Sequence, residues 1–443
     1  MVEKLTAGRL LARNTILNLA GEGAPLLVGV VAIPILVHVL GTARFGILLI
    51  VWMLIGYLSV LDLGMGRALT NLVAQKLAMD EEKSLPPLIW TANTLMLGLA
   101  VAAGLLLAAC SHWLVYSVLK IPVALKAESL ASLYILSGAL PAVILSSGFR
   151  GVLEAYQRFD AANAVRIPMG AFSFAGPLVV LPFSHSLVPV VAVLAAGRYV
   201  GLFSYFGAGR ILLPVMRSSP QWQSALIRPL LSFGGWMTVS NVTAPLMSGM
   251  DRFYLGALVS MQAVAFYATP FDIVTKLLIV PYAMSGVLFP AFSATLISDI
   301  TRARRFYRRS VGVLAAIMAP ITVAVILFAK IGLKIWLGTA FAINSAPVVQ
   351  ILAAGVFLNA IAQPAFALVQ GAGRADWTGK MNFAQLPFYL ALFWLLTLHF
   401  GIVGTAMAWL IRMVADALIL FLMARNLLHP GTIHSATVQH RAE

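Results

Sequence analysis

Residues Asn14–Gly41 read NTILNLAGEGAPLLVGVVAIPILVHVLG, and this stretch decides the fold. Glu22 is its one charged residue. A helix needs about 20 mostly apolar residues to cross a bilayer, and this run exceeds that. Working outward from it, the same pattern recurs along the chain. Spans are expected at 15–38, 45–66, 87–110, 129–150, 162–183, 187–208, 229–250, 263–290, 311–329, 346–369, 380–398 and 402–424. The seventh extends toward 258, past Asp251 and Arg252. Strand alternation is absent, which argues against a barrel. The polar, basic start MVEKLTAGRLLARN leads into the first span without a small-residue cleavage site. That span is therefore expected to be retained and not removed as a signal peptide.

Composition agrees with this reading. Of 443 residues 61% are hydrophobic and 10% charged, whereas soluble domains run near 45–50% apolar and 25% charged. The net charge of +15 would suggest nucleic acid in a soluble protein. Here the positive-inside rule absorbs it. Alternate loops divide the Lys and Arg into 21 on one side and 6 on the other. The richer side includes both termini, which places them in the cytoplasm. No nucleic-acid partner is expected. With Cys110 the only cysteine, no intramolecular disulfide and no cysteine-based metal cluster can form. No histidine pair has metal-ligand spacing, so no metal and no cofactor is expected.

The chain repeats itself. LEAYQRFD at 153–160 resembles VQGAGRAD at 369–376, with Arg158/Arg374 and Asp160/Asp376 both 216 apart. Arg198 and Arg412 are 214 apart, Pro25 and Pro245 are 220 apart, and Phe45 and Phe266 are 221 apart. Six spans per half make the halves insert in one orientation. The expected fold is an all-α polytopic membrane protein of about 12 transmembrane helices. It forms two six-helix lobes related by a pseudo-twofold axis along the membrane normal, with a site at their interface. The expected order is a cytoplasmic N-terminus (1–14), an N-lobe (15–212), a cytoplasmic linker (213–228), a C-lobe (229–424) and a cytoplasmic tail (425–443).

Charges inside spans need a reason, because each costs about 2.5–3.5 kcal/mol at a helix centre. Asp272 and Lys276 are four apart on span eight, and Arg412 and Asp416 are four apart on span twelve, spacings that place each pair on one helix face. Mutual neutralisation is one reading of them. Arg198 has no acid at helical spacing, and Glu22 is likewise alone. Asp251 and Arg252 sit where a gate would lie, although solvation there would also suffice. Pro25 and Pro245, at matching positions, are hinge candidates. The run TRARRFYRRS holds Arg302, Arg304, Arg305, Arg308 and Arg309. It reads as a cytoplasmic basic loop lying on anionic headgroups, or as a funnel for anionic cargo.

The opening RNTILNLAGEGAPLLVGVVAIPILVHVLGTARFG, DRFYLGALVSMQAVAFYATPFDI at 251–273 and the following VPYAMSGVLFPAFS resemble one family. So do the turns RGVLEAYQRFD and LVQGAGRAD. The family is the polysaccharide branch (O-antigen and exopolysaccharide, Wzx-like) of the multidrug/oligosaccharidyl-lipid/polysaccharide exporter superfamily. The resemblance covers nearly the whole chain and implies a central cavity, alternating access and a bacterial inner-membrane location. It implies as cargo an oligosaccharide on a polyprenyl diphosphate. Membrane lipids, and a polysaccharide polymerase with chain-length proteins, are the other implied partners. The two extra C-terminal helices usual in lipid II flippases are missing from this chain.

For such cargo, Arg198, Arg412 and Lys276 are candidate diphosphate ligands, since Arg offers a planar fork matched to phosphate oxygens. Asn18 and Asn241 are candidate sugar ligands. Glu22, Asp62, Asp251, Arg252, Asp272 and Asp416 are coupling or gating candidates. No GxxxxGK[ST] run and no ATPase-sized loop exists, so an ion gradient, the membrane potential or the cargo gradient must drive any active transport. The rivals are a proton- or sodium-coupled multidrug antiporter and, more remotely, a glycosyl ligase or polymerase. The first wants acids in the cavity. The second wants a large outer loop with catalytic carboxylates, and the outer loops here are short.

Overall fold

A computed structural model describes residues 8–58, 64–228, 230 and 250–428, with side chains from Pro25 onward except for a few within 286–298 and Ala375. Asn241 and Pro245 lie outside the described residues, as do Asp62 and the side chains of Asn18 and Glu22. Among the described residues every regular element is helical. In order these are α1 (Gly8–Leu58), α2 (Met65–Ala78), α3 (Leu85–Trp113), α4 (Val123–Ala155), α5 (Phe159–Val180) and α6 (Leu187–Leu212). A helical segment at 250–258 precedes α7 (Met261–Val274), α8 (Ile279–Ser298), α9 (Ile300–Leu337), α10 (Thr339–Gly371) and α11 (Ala375–Leu427).

Eight described stretches are long and apolar enough to cross a bilayer. Two of them, Pro25–Gly56 and Asp376–Leu427, contain a break at one glycine and so supply two crossings each. Gly41 has φ 77° and Gly401 has φ 57°, values that only glycine adopts cheaply. At Gly401 the chain folds back on itself, for the Thr397 and Thr405 hydroxyls meet at 3.0 Å. In a continuous helix those residues would stand about 12 Å apart. Gly338, with φ 90°, makes a third one-residue turn between α9 and α10. The described helices stand where spans were expected, although the eighth is interrupted by a 3₁₀ turn and the seventh, 229–250, lies outside the described residues except at 230 and 250. Residues 59–63 of the expected second span lie outside the described residues, and a separate helix, α2, starts at Met65. The basic run 301–310 is the start of α9, not a loop. Asp299 caps this helix by accepting from the Arg302 amide at 2.9 Å, and Arg and Ala favour the helical state.

The chain divides into two compact units, Met1–Gln262 and Ala263–Glu443. In the first, α4 packs against α2, α3 and α6, while α1 lies along α5. Small residues permit these approaches. A Cβ on Gly104 would sit 2.8 Å from the Ser137 carbonyl, and one on Gly170 would sit 2.6 Å from the Pro25 ring. Residues 250–262 belong to this unit by packing, although they follow the expected linker in sequence. In the second unit α10 is central, against α8, α9 and α11. Gly355 leaves room there for the Trp409 ring.

The repeat is visible bond for bond. α4 and α10 begin and end 216 residues apart, as do the starts of α5 and α11. Each central helix closes with the same turn. The Arg158 amide donates to the Leu153 carbonyl at 2.9 Å, and the Arg374 amide to that of Val369 at 3.1 Å. The residue before each arginine is left-handed, Gln157 at φ 57° and Gly373 at φ 74°. This is the Schellman closure of a helix. One copy therefore carries a backbone penalty that the other avoids. Gln157→Gly should stabilise the protein, and Gly373→Ala should destabilise it, each by about 1 kcal/mol. A Cβ at Gly373 meets nothing within 4 Å, so opposite shifts in melting temperature would isolate the backbone effect. Equal shifts, or none, would contradict it. At the first turn Arg158 grips Asp160 with two hydrogen bonds of 3.1 Å. This grip holds the Asp160 carboxyl below its usual range.

Candidate functional site

Arg198 lies near the middle of α6. Ser186 starts this helix, its hydroxyl accepting from the Val188 amide. Gly197, beside Arg198, lets the Phe172 ring approach so closely that a Cβ would sit 2.6 Å from it. That draws α5 against α6 and places the Ser173 hydroxyl 3.1 Å from Arg198 Nη2. The Ser173 proton already goes to the Met169 carbonyl at 3.0 Å, so its oxygen accepts from Arg198. On the other flank the Tyr199 hydroxyl donates to the Gly138 carbonyl at 2.6 Å and ties α6 to α4. A guanidinium has five N–H donors, and Ser173 takes one. Among the described residues no carboxylate stands within ion-pair distance of Arg198.

The corresponding cation of the second unit is placed differently. Arg412 Nε is 3.7 Å from Asp416 Oδ2, as the four-residue spacing requires. The Arg412 guanidinium also stands 5.1 Å from the centre of the Tyr389 ring. Tyr389 and Ser173 are 216 apart, so each unit sets the cation of its last helix against the same position of the preceding one. In the first unit that position offers a hydroxyl. In the second the cation has a carboxylate and an aromatic face.

The other candidates separate. Asp272 and Lys276 form no ion pair with each other among the described residues. The chain leaves α7 at Val274 and passes into a 3₁₀ turn over Thr275–Leu278, where Lys276 is exposed. Asp251 is buried, and its carboxylate accepts from the Arg252 amide at 2.8 Å. On α9, Ala303 and Ser310 face inward, and Phe306 packs on Phe292. Arg302, Arg305, Arg308 and Arg309 are exposed. Arg304 instead donates to the Leu428 carbonyl at 2.6 Å, holding the end of α11.

Two further groups were missed by the sequence reading. Glu128 accepts from Arg44 Nε at 3.1 Å and from the Leu187 amide, joining the starts of α4 and α6 to α1 just past its break. Ser285, Asn359 and Gln363 form a chain of polar side chains within the second unit. The four-residue spacing of Asn359 and Gln363 inside an apolar span was the signal available for the latter.

Comparison with known proteins now adds to this geometry. Residues 11–296 match the family described as "Polysaccharide biosynthesis protein". A "Putative O-antigen transporter" of Shigella flexneri is 29% identical over 411 residues, covering 92% of this chain and 96% of the relative. Among solved structures, an inward-facing multidrug resistance MATE family transporter of the MOP superfamily aligns with a TM-score of 0.73 at 14% identity, covering 94% of each chain. The lipid II flippase MurJ, in an inward closed conformation, aligns with a TM-score of 0.65 at 12% identity, covering 93% of this chain and 87% of the other. At these identities the structural likeness speaks for the fold. The fold is that of a MATE-like membrane transporter.

Proposed function

Because the chain belongs to the polysaccharide biosynthesis protein family, we propose that it is a flippase. Its cargo is a polyprenyl-diphosphate-linked oligosaccharide, which it moves across the bacterial cytoplasmic membrane by alternating access between lobes 15–212 and 229–424. Both termini are cytoplasmic in this reading, and the product feeds a polysaccharide polymerase and its chain-length proteins. The chain is a transporter and not an enzyme.

The observation that carries the reading is Arg198. A cation in mid-span, with one hydroxyl as its partner among the described residues, suits an anionic ligand that arrives and leaves. A diphosphate is such a ligand, and a guanidinium fork matches its oxygens. A drug/cation antiporter would want the opposite charge at this place.

The test uses purified protein in liposomes. The probe is undecaprenyl diphosphate carrying one fluorescently labelled N-acetylglucosamine, and an impermeant quencher reports the exposed leaflet. Protein-containing vesicles should expose the inner-leaflet probe at least about tenfold faster than empty ones, a barrier reduction of about 1.4 kcal/mol. Proton- or sodium-driven efflux of ethidium, with no movement of the lipid probe, would establish the antiporter instead.

A further inference from the structure

The second unit holds a polar seam that no charge pattern announces. Asn359 and Gln363 share a face of α10. Asn359 is 12 residues from Gly371, about 18 Å along the helix, which sets it deep in the span. Gln363 Nε2 donates to Asn359 Oδ1 at 3.0 Å. The Ser285 hydroxyl of α8 donates to Gln363 Oε1 at 3.3 Å. Asn359 Nδ2 finds only the Met413 thioether, at 3.3 Å. One turn on from Met413, Asp416 faces Gln385, from the first half of α11. The Gln385 amide lies close enough to polarise the Asp416 carboxylate, yet neither its amide atoms nor Asp416 Oδ1 complete a well-formed hydrogen bond among the described residues. α8 and α10 thus bring Ser285, Asn359 and Gln363 together, and the second half of α11, through Met413 and Asp416, links them to Gln385 of its first half.

A seam that served only to fasten helices would close its hydrogen bonds. In hydrocarbon the alternative to a partner is an unsatisfied polar group. This one is poorly closed. Ser285 and Gln363 meet at a long distance, Asn359 spends a donor on sulfur, which accepts weakly, and Gln385 has the Asp416 carboxylate beside it without a well-formed hydrogen bond. Ser285, Asn359 and Gln363 are only half-buried. Polar groups open at this depth face a polar ligand or water-filled space, not lipid.

The chemistry of the groups selects the ligand. The seam has one carboxylate, Asp416, and it lies beside Arg412, so a metal cation lacks the anionic shell it would need. Its one cation is engaged by that same carboxylate and by the Tyr389 ring, which disfavours an anion. What is left is a set of amides and a hydroxyl, each able to donate and accept. Vicinal sugar hydroxyls donate and accept in the same way. We propose that Ser285, Asn359, Gln363 and Gln385 form a sugar-reading subsite that recognises hydroxyl groups of the saccharide portion of the cargo. This rests on the flippase reading above, with Arg198 assigned to the diphosphate and the seam to the sugar.

The experiment compares two probes on the purified full-length chain in lipid nanodiscs. One is undecaprenyl diphosphate, and the other is the same lipid bearing one N-acetylglucosamine. The wild type should bind the sugar-bearing probe about tenfold tighter or more, since sites built to hydrogen-bond a hydroxyl discriminate strongly. Asn359→Leu, Gln363→Leu and Gln385→Leu should each reduce that preference at least about threefold, and Gln363→Asn less than Gln363→Leu. Affinity for the sugar-free probe should hold within about twofold, because the diphosphate contact is elsewhere. An undiminished preference in all three variants would overturn the subsite. So would a wild type that binds both probes equally. A parallel fall in both affinities, together with the melting temperature, would assign the amides to helix packing and overturn it too. Failure of the wild type to bind either probe would remove the flippase reading itself, and the subsite with it.

Discussion

Arg198→Ala should lower lipid flipping by a factor of about 10 to 100 or more while leaving the amount of folded protein in the membrane unchanged. A hydrogen bond to a charged group contributes about 1.5–3 kcal/mol, and each 1.4 kcal/mol is a tenfold change. The bare guanidinium is the expensive state, so its removal without a ligand present should not harm the fold. Arg198→Lys should recover part of the rate, because the charge survives and the planar fork does not. Ser173→Ala should cost less than either, since Ser173 supplies one acceptor that steadies the fork. The competing account pairs Arg198 with an acid such as Glu22 or Asp62, both outside the described side chains. Under it Arg198→Ala would strand a buried carboxylate and reduce folded yield, and a double variant removing the acid would restore it. A stable Arg198→Ala protein that flips at the normal rate would end the cargo-binding assignment. The measurement is the liposome assay read alongside the melting temperature.

Gly46→Val should have an effect of similar size by a different route. Gly46 lies just past the break in α1, and a Cβ built on it falls onto the backbone carbonyl of Met261. Nearby, a Cβ on Gly256 would sit 2.8 Å from the Met261 side chain and 3.3 Å from Ile50. The Lys120 amide donates to the Gly256 carbonyl at 2.7 Å. Residues 256–261 are therefore seated on the first unit through two glycines and a backbone bond. A carbonyl cannot rotate aside as a side chain can. Overpacking of this kind costs about 1–3 kcal/mol or more, which raises the ratio of unseated to seated segment by about 5- to 150-fold. In a Cys110→Ala background carrying Met261→Cys, Gly46→Val should raise labelling by an impermeant maleimide about tenfold or more and slow transport. Unchanged labelling with normal transport would show that the contact is incidental.

Much of this was legible in the sequence, for reasons that differ by feature. The spans announced themselves because a bilayer demands length and apolarity, both properties of a contiguous run. The repeat turn at 158 and 374 could be read because a helix closure fixes a few residues at fixed spacing. The Arg412–Asp416 pair follows from helical geometry alone, and the structure has it. Asp272 and Lys276 have the same spacing and no such pair with each other among the described residues, and a 3₁₀ turn begins between them. No local rule announced that turn. The basic run reads as a loop by its charge, but its Arg and Ala residues favour a helix and Asp299 caps it. The seam of Ser285, Asn359, Gln363 and Gln385 was overlooked because an uncharged amide barely lowers hydropathy. Its members meet only once separate helices pack.

The one-glycine turns at Gly41, Gly338 and Gly401 bear on how the protein meets its surroundings. In the proposed topology all three face away from the cytoplasm. A helix that ends and restarts across a single residue leaves no slack chain for a protease on that side to grip and no protruding loop for another protein to bind. The same turns leave no room for an inserted tag, which would have to unravel a helix on either side. The stretches 79–84 and 213–226 open on the other face, and 181–186 is a longer link on this one. At these three turns the non-cytoplasmic side of the membrane would meet little more than the ends of helices.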